Sequence, residues 1–259
     1  MPMSYIVICA VAFAASGLTF FSGFGLGTLL LPAFALFFPV GEAVALTAFV
    51  HGLNGVFKLG LVRRSIDGGV LLRFGAPAVA ASFVGALLLA RLAEAPPLIT
   101  YEFAGSMRAV TPAKLAIGGL LLGFAGLELS PRFRELAIPS KYLPIGGLLS
   151  GFFGGVSGMQ GALRSAFLVR AGLSKEAFIA TGVAIAVLID ISRLGVYVPS
   201  LLSEDLGRDR MLLLAAVASA FAGAVFGNHY LKKLTMAHVQ RLVAALLFTV
   251  GIGLVTGLV

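Results

Sequence analysis

Apolar residues run along this chain in blocks joined by short polar connections, at 4–20, 24–38, 42–62, 70–93, 113–129, 143–156, 159–169, 176–198, 211–231 and 242–259. The longer blocks match the roughly 20 residues that a helix needs to cross the hydrocarbon core of a bilayer. One connection differs: Ile99 to Phe103 and Met107 to Val110 flank Gly105-Ser106 and predict a small exposed β-hairpin. The stretches 4–38 and 143–169 are apolar throughout, yet each is cut by glycine, at Gly23-Phe24-Gly25-Leu26-Gly27 and at Gly154-Gly155-Val156-Ser157-Gly158-Met159-Gln160-Gly161. Glycine tolerates irregular backbone where a side chain would clash, so these are expected helix breaks, and the arms beyond them, of about 11 to 15 residues, are short for a full span.

The breaks repeat. At an offset of 134, Ser16-Gly17 pairs with Ser150-Gly151, Gly27 with Gly161, Leu29 with Leu163, Glu42-Ala43 with Glu176-Ala177, and Thr47 with Thr181. Each half then reads as a broken segment followed by three long runs, which divides the chain into a first membrane repeat at 1–130 and a second at 131–259. If each broken segment returns to its starting side, every half has an odd number of crossings and the repeats are inverted. One face then collects Arg63, Arg64, Arg132, Arg134, Lys141, Arg170, Lys175, Lys232, Lys233 and Arg241, against Arg91, Arg108, Lys114, Arg208 and Arg210 on the other. The richer face is expected in the cytoplasm, with both termini outside. The expected fold is therefore an all-α integral membrane protein of two inverted repeats, each a broken or re-entrant helical hairpin followed by three transmembrane helices.

Composition agrees with that reading and removes several others. Of 259 residues, 59% are hydrophobic and 12% charged, about half the charge of a soluble domain. The net charge of +8 is scattered at the ends of apolar runs rather than gathered on a stripe, which argues against nucleic acid and for membrane topology. The lone Cys9 excludes an internal disulfide and a multi-cysteine metal site. Ala12-Phe13-Ala14 has the form of a signal-peptidase site, but Met1-Pro2-Met3 lacks a basic n-region, so the first run is read as a retained membrane segment. His51, His229 and His238 lack supporting ligands for a metal, no cofactor is implied, and no catalytic constellation is visible, so no enzyme activity is expected.

Polar chemistry concentrates on two helices. Thr47, His51, Asn54 and Lys58 follow an i, i+4, i+7, i+11 spacing that sets them within roughly 60 degrees on one face. A charge at the bilayer centre costs about 2.5 to 3.5 kcal/mol on insertion scales, so such a face looks into the bundle or a wet cavity. The alternative is that Lys58 snorkels to headgroups while His51 and Asn54 bond neighbouring helices. Asp190, Arg193 and Tyr197 share a face of the later run, where Asp190 and Arg193 either neutralise each other or serve function. If Lys58 and Arg193 both face the cavity, two cations meet where the two breaks present helix N-termini, and the expected ligand is a small anion. Backbone N–H groups around Gly25, Gly27 and Thr28, and from Ser157 through Gln160 to Gly161, would orient its oxygens, while Asp190 or His51 exchanges a proton. Arg164 is either a third cation or a snorkelling one. Glu42 and Glu176 each begin a long run and are read as offsetting the helix dipole. Gly223 with Gly227 is a small-xxx-small packing face.

These residues together resemble the TauE/SafE sulfite exporter family, also called toluene sulfonate uptake permeases. The resembling stretches are Gly23 to Gly27 with Pro32 and Pro39, Thr47 to Ile66, Ser150 to Gly161, and Gly172 through Thr181 to Tyr197. Where that family often has Gly-Pro in the second broken segment, this chain has Gly161-Ala162. The resemblance implies an inner-membrane transporter, often an exporter, of sulfite or sulfonates, compatible with a homodimer. The alternatives are a carrier for another small anion such as a carboxylate, or a non-transporting membrane scaffold.

Overall fold

The computed structural model describes residues 2–22, 26–134, 136–201, 210–230 and 236–259. In chain order the elements are α1 (Pro2–Ser22), α2 (Leu26–Ala35), α3 (Val40–Val62), α4 (Gly68–Glu94), β1 (Ile99–Phe103), β2 (Ser106–Val110), α5 (Pro112–Leu129), the short α6 (Pro131–Arg134), α7 (Leu143–Ser157), α8 (Gly161–Leu168), α9 (Lys175–Leu201), α10 (Arg210–Tyr230) and α11 (Met236–Val255). The chain is an all-α membrane protein with one small hairpin. Among the described residues, five helices are long and apolar enough to cross a bilayer: Val40–Ser65, Gly68–Glu94, Pro112–Leu129, Lys175–Val198 and Arg210–Gly227.

Local chemistry sets the ends. Asp67 caps α4 by accepting from Val70 N–H at 2.8 Å, and Thr111 caps α5 by accepting from Lys114 N–H at 3.2 Å. Glu42 and Glu176 lie in the first turns of α3 and α9. Ala104 and Gly105, both at positive φ, close the β1–β2 turn, and Tyr101 and Arg108 donate to the carbonyls of Thr256 and Leu258 beyond α11. α1 has 21 residues, or about 31 Å, whereas the arms beyond the breaks, α2 and α8, have 10 and 8. Ser16-Gly17 does not interrupt it.

Glycines decide how closely the helices approach. On α7, a Cβ at Gly147, Gly151 or Gly155 would stand 2.2, 2.1 and 2.1 Å from the carbonyl oxygens of Phe74, Ala78 and Ser82 on α4, so only glycine fits. The numbering rises together on both helices, which makes them parallel. The α1–α10 seam is built alike: a Cβ at Gly223 would lie 2.1 Å from Phe13 O, and one at Gly227 would lie 2.4 Å from Gly17 Cα. Phe13 and Gly17 are the offset partners of Gly147 and Gly151. In contrast, Gly52 faces Asp190 and Leu194 while Gly55 faces Val187, so α3 and α9 run antiparallel. Gly118 and Gly251 set α5 antiparallel to α11 in the same way. Outside these seams large apolar side chains face outward, among them Leu61, Leu72, Val84, Ile191 and Leu214, as a lipid-facing surface requires.

Candidate functional site

The second glycine break is the hinge of the site. α7 ends at Ser157, Gly158 adopts a left-handed conformation (φ 78°, ψ 0°), and α8 begins at Gly161. Beyond the break the chain turns back, because Phe167 of α8 packs where a Cβ on Gly146 of α7 would lie, and Ile138 N–H donates to Ala166 O at 3.0 Å. The left-handed turn consumes donors that the sequence offered to a ligand. Gly158 N–H bonds Gly154 O, Met159 N–H bonds Ser157 Oγ, and Gln160 N–H bonds Gly158 O. The backbone reading is therefore corrected at Gly158, Met159 and Gln160. Ser157 Oγ is itself occupied, donating to Phe153 O at 2.9 Å.

The start of α2 meets the α7–α8 break at glycine. A Cβ on Gly27 would lie 3.0 Å from Gly158 O and 3.7 Å from Thr47 Cγ2, which puts α2, α3 and the α7–α8 break in one place. Thr28 is buried next in α2, while Gly25 lies outside the described residues. Arg193 reaches the junction from α9, its Nη1 2.7 Å from the Cβ position of Gly158. Any side chain at 158 would displace the guanidinium.

Charge at the junction is shared by three side chains. Asp190, fully buried, accepts from Arg193 Nε at 2.9 Å through Oδ1 and meets His51 Nδ1 at 2.5 Å through Oδ2. Arg193 Nη2 sits 2.7 Å from Oδ1, attracted by charge but outside hydrogen-bonding geometry. Of the two readings of Asp190 with Arg193, pairing is what the structure contains, and His51 joins the pair. With the Asp190 carboxylate as acceptor, His51 Nδ1 is the ring nitrogen placed to donate, and Nε2 is the one turned away from that contact. Tyr197 fixes α9 beside the break by donating to Gly155 O at 2.8 Å.

Arg193 nonetheless keeps an unused edge. Nη1 has no acceptor among the described residues, and the same holds for the buried Thr47 Oγ1 and Gln160 Nε2. Buried donors are nearly always satisfied, so orphaned donors on three residues around one glycine contact make this junction the candidate place for an acceptor. Thr47 was legible only as part of the α3 stripe, and no sequence signal tied it to Gly27.

Lys58 and Asn54 are held elsewhere. Lys58 Nζ donates to Ser16 O at 3.1 Å, and Ser16 Oγ donates to Asn54 Oδ1 at 3.1 Å, so both side chains engage α1. Lys58 is only 7% exposed and does not reach for headgroups. It lies two turns beyond His51, about 10 Å along α3. Among the described residues no group of histidine, cysteine or carboxylate side chains could hold a metal.

A family model described as sulfite exporter TauE/SafE matches residues 8–254. Comparison with curated proteins and with solved structures gives no match.

Proposed function

Because the chain belongs to the sulfite exporter TauE/SafE family, we propose that it is a secondary carrier that exports sulfite or a related sulfonate across the inner membrane. The family is one of membrane transporters, and this member is a multi-pass membrane protein. The observation that carries the reading is Arg193: a fully buried guanidinium with an orphan Nη1 where Gly27 and Gly158 meet. A buried cation edge without an acceptor is costly, and a small anion removes that cost.

In this reading the anion lies at midplane between two glycine-broken hairpins in two inverted repeats, 1–130 and 131–259, with both termini outside. The antiparallel pairing of α3 with α9 and of α5 with α11 supports inversion, since each pair joins offset-equivalent helices. Thr28 and the first turn of α8 from Gly161 supply backbone dipoles, Arg193 supplies charge, and Lys58 with Asn54 forms a second cationic station along α3. Asp190 already balances Arg193, so an arriving monoanion adds one uncompensated negative charge. His51 offsets it by taking a proton on Nε2. Anion and proton then move together.

Sulfite flux measured in anaerobic proteoliposomes tests this. Arg193→Ala is expected to bring flux down to the level of empty vesicles, and Lys58→Ala to slow it. Unchanged flux in the double variant rejects the site.

A further inference from the structure

A buried primary amide has two chemically opposite ends, and whatever holds one end decides which the neighbours meet. Gln160 stands in the α7–α8 break, 1% exposed, with its backbone carbonyl accepting from Ser150 Oγ at 3.2 Å. Arg164, one turn further along α8, donates from Nη1 to Gln160 Oε1 at 3.3 Å. The same arginine lies against α9, its Nε 3.5 Å from the Cβ position of Gly182. Arginine has donors and no acceptor, so while it holds Gln160 the amide can offer the pocket only Nε2.

That nitrogen is one of the orphaned donors at the junction, with Thr47 Oγ1 and Arg193 Nη1 and Nη2. All belong to residues around Gly158: Gln160 N–H bonds its carbonyl, Arg193 fills the place of its Cβ, and Thr47 and the Gly158 oxygen both lie against the Cβ position of Gly27. We infer that Arg164 is a positioning residue that makes the pocket donor-only, by locking Gln160 so that its Nε2 joins Thr47 and Arg193 in meeting the oxygens of one small anion. The inference rests on the carrier reading above and adds a specificity device to it. Released from Arg164, the amide turns over part of the time and presents Oε1, an acceptor that repels anionic oxygen. Arg164 also lies within reach of the charge on Asp190, so an effect through Gln160 must be separated from a direct electrostatic one.

A double-mutant cycle separates them. Initial rates of radiolabelled sulfite flux against concentration are measured in anaerobic proteoliposomes for the wild type, Arg164→Met, Gln160→Met and the double variant. Each single substitution is expected to raise the half-saturating concentration roughly tenfold, the loss of one hydrogen bond to a charged group, with the maximal rate nearly unchanged. The double variant is expected to match Gln160→Met alone. Equal shifts from Arg164→Met in both backgrounds, or no shift in either, overturn the inference while leaving the carrier reading intact. Absence of saturable sulfite flux in the wild type overturns both. Gln160→Glu keeps Arg164 paired and replaces the donor by a negatively charged acceptor, so it serves if Arg164→Met does not fold. An unchanged half-saturating concentration in that variant also overturns the inference.

Discussion

Where α4 meets α7, the helices touch backbone to backbone; where α3 meets α9, they touch through charged and polar side chains. At the first seam Gly147, Gly151 and Gly155 admit the carbonyls of Phe74, Ala78 and Ser82 so closely that a single added carbon has no room. At the second, His51, Asp190 and Arg193 meet in one short chain of polar contacts, and the glycines nearby face side chains rather than backbone. Close-packed backbone has one solution and resists adjustment. Side-chain ion pairs have alternatives, because Asp190 can share its charge with Arg193, with His51, or with both. The α4–α7 and α1–α10 seams thus serve as frame, and in the proposed function the α3–α9 seam is where ligand and proton exchange partners.

The sharpest way to break this contrast is to add one methyl group to the frame. In Gly151→Ala the new Cβ would stand 2.1 Å from Ala78 O, a backbone atom that no rotamer change can move aside. Overpacking usually costs about 1 to 3 kcal/mol, and this site is expected at or above the upper end. The readout is loss of the monodisperse peak in detergent together with a large fall in thermal unfolding temperature. A variant that folded and transported normally would mean that the seam is looser than its geometry.

The next effect belongs to the polar seam. Arg193→Ala leaves Asp190 buried with one fewer partner, which is expected to cost about 3 to 5 kcal/mol and to abolish sulfite flux. Replacing both, as Asp190→Leu with Arg193→Leu, removes the uncompensated charge and is expected to restore most of that stability without any flux. Stability and transport then part company at this seam. They fall together in Gly151→Ala.

How far the sequence carries this picture depends on the kind of contact. The α3 stripe is readable because Thr47, His51, Asn54 and Lys58 repeat at helical spacing, and all four are buried. The break near Gly158 is readable from the glycine run. Its consequence is not, since the left-handed turn at Gly158 spends the backbone N–H groups internally and shifts the donor role to side chains. The His51–Asp190 pair joins residues 139 apart, and no local pattern encodes such a distance. Gly223 and Gly227 announce a packing face at four-residue spacing, as Gly147, Gly151 and Gly155 also do once α4 is known to lie against them. Arg164 stayed open between cavity and headgroups because only the fold shows which end of Gln160 it holds.

A smaller effect isolates the proton. Sulfite itself titrates near neutrality, so the cleaner substrate is an alkyl sulfonate that stays monoanionic throughout. If one proton accompanies each anion through His51, a one-unit pH step drives roughly tenfold accumulation, since a unit is worth about 1.4 kcal/mol. The charged and titratable groups near His51 are Asp190, Arg193 and Lys58, with Arg164 and Tyr197 beyond them. None of these is altered in His51→Gln. That variant keeps a polar side chain beside Asp190 but cannot carry charge, and its sulfonate accumulation is expected to ignore the pH step. Full accumulation in His51→Gln would move the proton to another group.

The smallest effect is the control that gives the comparison its meaning. Gly55→Ala adds the same methyl group as Gly151→Ala, but on α3, where it would stand 3.0 Å from Val187 Cγ2. That contact is tight, yet its partner is a methyl group at the end of a side chain and can yield by a few tenths of an ångström. Alanine also favours a helix interior over glycine by about 1 kcal/mol, which offsets the crowding. The expected change in unfolding temperature is therefore close to zero, with sulfite flux retained. If Gly55→Ala proved as damaging as Gly151→Ala, the α3–α9 seam would be as rigid as the frame, and a ligand could not enter by rearranging the side chains between them.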